Sequence, residues 1–553
     1  MASFGQVRTW NPDPLHASVG ELNQRCDQLL GLADELAAAC QPTGWVGDAA
    51  YAAARESRKR TDMVEERVAG VAAVRRALGE AADAVSALRH AVAEADSFAQ
   101  AKGFVIGDDG SVNDAGPPRE IPVEQARERD RVRTELTDRV DQILRRAQDI
   151  DEDLTTVVNR ARAGQTLDGD PDGLTSAAQA GASRGGLSVL EPPKSGSVYD
   201  NAGWWDSLSA TEQQQIIKQH PEWIGNRDGV PAAARDQANR ARIPGERAAL
   251  QRQIDELNAR LRAIPSNQRD PRLMMFEQQK LRVEIEKAKA KLASIEAMEH
   301  ILNKPGGRQL LVMDMSGDRA KAAIASGNVD AADHVAVFTP GMNSTVNGAL
   351  DGYDNDMENL RVRAQRELER FGDGGTVAAI TWLGYEPPST SENPWDAAGQ
   401  GLARDGANRL APFLNGIDAS RDNDPHMTAL GHSYGSLTTG LALQQNTGVD
   451  DAVVFGSPGL GTSDPGKILV GQGQLYNLEA DGDIVADLGD DMIHGIDPSN
   501  LPIPQLSTHD AVTPDGRPMH ASSGHSEYTR DDTTSQYNMS VIVAGMPNRV
   551  VPN

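Results

Sequence analysis

After Pro305-Gly-Gly the chain settles into a pattern that few folds can satisfy: short apolar runs bounded by turn residues alternate with longer stretches of helical period. The runs are Gln309-Leu-Leu-Val-Met-Asp, His334-Val-Ala-Val-Phe-Thr, Thr376-Val-Ala-Ala-Ile-Thr, His426-Met-Thr-Ala-Leu-Gly, Asp451-Ala-Val-Val-Phe-Gly and Gln474-Leu-Tyr-Asn-Leu-Glu. Segments such as Met357 to Phe371 and Ala397 to Leu414 fill the gaps with helices. Strands and helices alternating at this length predict an α/β fold, a mostly parallel sheet with both faces covered.

One junction of that pattern carries chemistry. The strand His426 to Leu430 runs into Gly431-His432-Ser433-Tyr434-Gly435, which opens a helix from Ser436 to Gln445. In this strand–turn–helix context G-x-S-x-G is a nucleophile elbow: the turn forces unusual dihedrals on Ser433, and the glycines leave room for the backbone that crosses there. An acyl-transfer nucleophile needs N–H donors for the developing oxyanion. One is expected from Tyr434 at the helix start. The other is expected from Met342 or Asn343, in the Thr339-Pro-Gly-Met-Asn-Ser-Thr turn after an earlier strand, with Gly341 allowing close approach.

The acid should follow the serine, at the end of a later strand. Gln474 to Glu479 leads into Ala480-Asp481-Gly482-Asp483-Ile484-Val485, and 50 residues from Ser433 to Asp483 leave room for one helix and one strand. Asp483, followed by two apolar residues, is the preferred acid and Asp481 the alternative, although both also suit turn formers. Beyond them lie His494, His509, His520 and His525. His525 sits just before a final helix, Ser535 to Val543, where a loop histidine can fold back over the strand ends, and His520 is the second choice. The order Ser, Asp, His is what lifts His525 above a solvated surface residue. His432 reads as a packing residue. Asp487, Asp490, Asp491 and His494 read as a solvated acidic loop, so no metal site and no cofactor is expected.

The first part of the chain is helical. From Pro14 to Ala101 it reads helix, turn, helix, with Leu22, Cys26, Leu29, Leu36 and Ala39 at helical spacing and the break at Gln41 to Asp48. A third helical stretch, Val123 to Ala161, follows a Gly/Asp/Pro segment, and an α-helical domain is expected over residues 1–163. Residues 164–197, with seven glycines, read as a linker. Residues 198–553 then form the catalytic domain, with Trp204-Trp205, Leu208, Ile216, Ile217 and Trp223 expected to pack onto it. Leu250, Ile254, Leu257 and Leu261, then Leu281, Ile285, Ala288 and Ile295, mark an antiparallel helical hairpin inserted at about 245–303 and broken at Pro265 to Pro271.

Charge narrows the partners. There are 54 basic and 80 acidic residues, a net charge of -26, which repels polyphosphates, so nucleic acid is not expected as a partner. The only two cysteines, Cys26 and Cys40, fall on one helix about 20 Å apart, too far for a disulfide unless that helix is broken. The N-terminus lacks an apolar signal core and no stretch nears the ~20 apolar residues of a membrane span. A cytoplasmic protein, or one secreted without a cleaved signal peptide, is expected.

From Trp204 onward the chain resembles an actinobacterial α/β-hydrolase family of unassigned substrate. The resemblance rests on Trp204-Trp-Asp-Ser-Leu-Ser, Ile224-Gly-Asn-Arg-Asp-Gly-Val-Pro-Ala-Ala-Ala-Arg-Asp, Ala332-Asp-His-Val-Ala-Val, Gly431-His-Ser-Tyr-Gly-Ser and Gly456-Ser-Pro-Gly. It implies an α/β-hydrolase fold and the triad Ser433, Asp483 and His525 by position, and no substrate. Residues 245–303 look like an insertion relative to simpler members. The N-terminal region is more weakly similar to the helical hairpins of type VII secretion substrates, through Trp45-Val46-Gly47 in the turn between two helices, but the Tyr-x-x-x-Asp/Glu tail signal is not found. That similarity implies an export route and a small helical protein partner. The expected activity is a serine hydrolase of carboxylic esters, on a small-molecule or lipid substrate, with thioesters and amides open to the same triad. No long lid is evident between the Ser433 and His525 segments, which favours an open site of cutinase or esterase type. The rival expectation is an interaction protein whose helices bind a partner and whose hydrolase core is scaffold.

Overall fold

The computed structural model describes residues 2–39, 44–116, 121–167, 171, 173–194, 196–264, 271–390, 399–421, 423–470, 474–486 and 494–553. The chain divides into two compact units, residues 1–215 and 216–553.

The first unit holds α1 (Phe4–Arg8), α2 (Asp13–Ala39), the long α3 (Asp48–Ala101), a hairpin of β1 (Phe104–Ile106) and β2 (Val112–Asp114), then α4 (Val123–Arg162), α5 (Leu174–Arg184) and α6 (Val198–Asp206). Phe4, Leu88, Val92, Phe104, Leu136 and Ile143 form its main core. Cys26 is a buried free thiol on the unbroken α2, and Cys40 lies outside the described residues. In the α2–α3 turn Trp45 is half-exposed and Val46 exposed.

Two expectations fail in this unit. Residues 164–197 are not a plain linker, because α5 packs on α3 with no space between the backbones: a Cβ on Gly181 or Gly185 would stand 2.1 Å from the carbonyl oxygen of Ala69 or Ala73. These glycines form the contact face of a helix, and composition alone reads them as flexibility. Residues 198–206 do not belong with the catalytic unit but pack on α4. A capping box at Ser197 starts α6, Trp204 is fully buried with its indole N–H donating to Leu190 O, and Gln142 on α4 donates to Asp200 at 2.9 Å. The acidic positions of α6 face polar and basic residues of α4, including Arg139, which reaches Asp206 at 3.4 Å.

Across the boundary runs α7 (Ala210–Gln219), followed by α8 (Pro221–Ile224) and the hairpin α9 (Ala232–Ala263) and α10 (Pro271–Leu302). The alternation then proceeds through β3 (Arg308–Asp314), β4 (Lys321–Ser326), β5 (His334–Thr339), α11 (Leu350–Phe371), β6 (Val377–Leu383), α12 (Gly401–Ala419), β7 (His426–His432), α13 (Tyr434–Leu443), β8 (Asp451–Phe455) and β9 (Leu475–Leu478). Last come β10 (Gln505–Leu506), the small pair β11 (Ala511–Val512) and β12 (Pro518–Met519), and α14 (Thr534–Val543). Eight strands form one sheet in the order β10-β9-β8-β7-β5-β6-β4-β3, parallel from β10 through β6 and antiparallel at β4 and β3.

Successive β5 side chains serve opposite cores, as strand pleating requires. Val335 and Val337 join Leu410, Phe413 and Leu437 of α12 and α13, whereas Ala336 and Phe338 join Met357, Leu360, Tyr537 and Ile542 of α11 and α14. The hairpin begins earlier than the sequence implied, and its first turns cover the outer edge of β3. The Leu310 amide donates to Asp236, Asn239 donates to Leu310 O, and Asn226 both donates to Met313 O and accepts from its amide. Side chains thus pair backbone groups that an open edge strand would offer to another chain.

Candidate active site

Ser433 closes β7 and caps α13 with φ 56° and ψ -133°, a left-handed conformation that a serine adopts only when its surroundings dictate it. The surroundings are backbone. A Cβ on Gly435 would lie 2.1 Å from Thr339 O, and one on Gly341 would lie 2.6 Å from the Ser433 Cβ, so the elbow and the turn after β5 touch across glycines. Below the elbow, Ser436 Oγ donates to Ser433 O at 2.6 Å.

The acid and the histidine arrive from separate loops. His525 Nδ1 lies 2.9 and 3.0 Å from the two Asp483 oxygens, and both partners sit beside Gly456, where a Cβ would stand 2.7 Å from Asp483 Oδ2. With Nδ1–H donated to a carboxylate, Nε2 is the nitrogen left as base. Burial alone would raise the Asp483 carboxyl, but hydrogen bonds from His525, from the Tyr528 hydroxyl at 2.7 Å and from the Val485 amide at 3.0 Å outweigh it and hold the pKa at about 2, against an ordinary 3.8. Burial and the nearby Asp483 push the Tyr528 phenol well above its usual range, so it remains a donor. Among the described residues Ser433 Oγ makes no hydrogen bond; such contacts commonly tighten only when substrate is bound.

Two groups that sequence reasoning passed over shape this site. Tyr528 had no motif to mark it. His432 was read as packing, and it does stack on Phe455, but its Nε2 also donates to His525 O at 2.8 Å and its ring lies 4.7 Å from that of His525. Burial, then the neighbouring His525, lower His432 to about 4, so it is a neutral ring packed against His525.

The alternatives fall elsewhere. Asp481 is exposed and pairs with His509 at 3.5 Å, and His520 is exposed, its amide donating to Asp532 O. Asn343 is a correction: its amide donates to Pro388 O at 2.9 Å and its side-chain oxygen accepts from Thr390, so this amide is committed to the turn, and of the two candidates Met342 is the one without such a bond among the described residues. Tyr434 is the first residue of α13, where helix N–H groups point out of the helix end. Asp487, Asp490 and Asp491 lie outside the described residues; among those described, no group of three or more metal-ligating side chains occurs.

Residues 316–492 match the model of a family described as alpha/beta hydrolase. The uncharacterized protein Rv0963c of Mycobacterium tuberculosis is 34% identical over 231 residues, which span 40% of this chain and 86% of that protein. The chain belongs to the alpha/beta hydrolase family. Within this hydrolase the matched span runs from just before β4 past Asp483 and ends ahead of His525. A second relative, the uncharacterized protein Rv2079 of the same organism, is 31% identical over 274 residues, 49% of this chain and 40% of its own length. Among solved structures, an esterase of Pyrobaculum calidifontis is 13% identical, covering 50% of this chain and 98% of its own, with a TM-score of 0.27. The esterase domain of a Rhodothermus marinus protein is 12% identical, covering 44% and 99%, with a TM-score of 0.24. Likeness this slight carries no argument, and the fold rests on the strand order and on the family match. Among the described residues no helix is long and apolar enough to cross a membrane.

Proposed function

We propose that this hydrolase is a serine esterase, transferring the acyl group of a carboxylic ester to water. The observation that carries the reading is the Asp483–His525 pair at 2.9 Å beside an elbow whose serine is held at φ 56°. Ser433 Oγ adds to the ester carbonyl carbon while its proton passes to His525 Nε2, and the charge that gathers on the carbonyl oxygen is met by the Tyr434 and Met342 amides. The intermediate collapses, the bond to the alcohol oxygen breaks, and His525 returns its proton to that oxygen. Water then gives a proton to His525 and adds to the acyl-enzyme; collapse frees the acid and restores the serine hydroxyl. Asp483 fixes the imidazole tautomer and stabilises its charged form throughout.

The test is labelling with a fluorophosphonate, comparing wild type with Ser433→Ala, alongside turnover of p-nitrophenyl esters. Labelling that disappears in the variant, with turnover of at least one ester, is the expected result. A folded wild type that neither labels nor turns over ester would overturn the reading and favour the one in which helical regions bind a partner and the core is scaffold.

A further inference from the structure

The insertion that the sequence left without a role borders a cavity of about 720 Å³, within the range of small-ligand sites, roughly 300–1,000 Å³. Its walls include Val283, Lys287, Ala290 and Ser294 on α10, facing Ala320 before β4 and Val346 after β5, with the charged Arg282, Glu286, Asp318 and Arg319 also in the lining. The α10 residues recur at intervals of three and four, so they share one helix face. The same face continues outward to Phe276, and Leu273, Met275, Phe276 and Val283 are among the large apolar side chains exposed on this chain. α10 is tied over the sheet end by Lys287, 2.9 Å from Asp318, and by Lys291, which donates to Met315 O at 2.8 Å.

Position gives this cavity its meaning. β4 runs antiparallel to β6, so the β3–β4 turn lies at the same sheet edge as the carboxyl ends of β5, β6 and β7, where Ser433 stands. Val346 follows Met342 in the same loop, and Arg319, another wall residue, donates to Pro387 O beside the Pro388 carbonyl that holds the Asn343 amide. From β7 across β5 and β6 to β4 is three strand spacings, about 14 Å.

We propose that this cavity and the α10 face leading from it receive the acyl chain of the substrate, making the enzyme selective for long-chain esters. The proposal rests on the serine-esterase reading above. The occupant is the acyl chain, since the cavity adjoins the loop that bears Met342, and its apolar strip of Val283, Ala290, Ala320 and Val346, set between charged side chains, leads onto the exposed apolar residues at the start of α10. Short acyl groups would react at Ser433 without reaching it.

The experiment measures kcat/KM for p-nitrophenyl acetate, butyrate, laurate and palmitate on wild type, Ala290→Trp and Val283→Asp. Both positions are exposed on α10, so the variants leave the core intact. The expected result is wild-type preference for laurate and palmitate, and a fall of roughly tenfold on those two substrates in each variant, with acetate and butyrate unchanged. A chain-length profile that does not move in either variant, while acetate turnover and Ser433 labelling persist, overturns the acyl-chain assignment and leaves the esterase reading standing. Altered oligomeric state by light scattering with an unmoved profile also overturns it, assigning the α10 face to a second copy of the chain. Loss of turnover on every ester in wild type would instead remove the esterase reading and this proposal with it.

Discussion

Around Ser433 a strand end meets a neighbouring turn, and a Cβ on Gly435 would stand 2.1 Å from Thr339 O. In the N-terminal unit helix meets helix, and a Cβ on Gly181 would stand 2.1 Å from Ala69 O. The steric demand is equal, yet the first contact sets the conformation of Ser433, the proposed nucleophile, and the second only brings two helices together. Glycine at a functional turn is therefore tested by rate, and glycine on a packing face by stability.

Four substitutions probe that division, from largest effect to smallest. Asp483→Asn changes no packing volume but leaves His525 without a carboxylate; kcat should fall roughly 10³–10⁴-fold in protein that still folds. Gly435→Ala should lower kcat/KM by about 10²-fold or more and reduce fluorophosphonate labelling, since the elbow must shift to admit a methyl group. Unchanged labelling in that variant would break the comparison at its root. Gly181→Ala should leave ester turnover per folded molecule unchanged but destabilise the helical unit by about 1–3 kcal/mol in urea titration. Were residues 164–197 a free linker, the same change would leave stability unaltered, because such a segment loses no conformational freedom on folding, so a measurable loss decides.

The smallest effect concerns pH. The Asp483 carboxyl is held at about 2 in the folded protein, below its ordinary 3.8, so its contribution to stability is complete above about pH 4 and is lost as pH falls towards 2. Tyr528→Phe removes the 2.7 Å donor and should raise that carboxyl, weakening stability by about 1–2 kcal/mol and shifting the acid limb of melting temperature against pH upward. A limb that stays in place would show that His525 and the Val485 amide suffice.

Legibility followed how local the determining contacts are. The elbow is a five-residue pattern whose meaning lies in its flanking strand and helix, and the apolar runs marked β3 and β5 through β9. β4 escaped notice because Lys321-Ala-Ala-Ile-Ala-Ser is half alanine, with only one large apolar residue, and its burial is set by β3 and β6 on either side. β10 pairs through two residues. Asn343 could not be separated from Met342 without the Pro388 carbonyl, and Tyr528 and His432 acquire roles only through Asp483 and His525, which come from distant segments. The reach of α9 along the β3 edge depends on Asn226, Asp236 and Asn239, polar residues that carry no periodic signal.

Every residue of α14 is buried, and that helix completes the core that also holds Phe338, Phe455 and Tyr528. The loop bearing His525 leads directly into it, 92 residues after Ser433 in a chain made from its N-terminus onward. On a ribosome, Ser433 would emerge well ahead of His525 and before the core that α14 completes can close. Arrival of the closing helix finishes the protein interior and brings in the loop that sets His525 against Asp483.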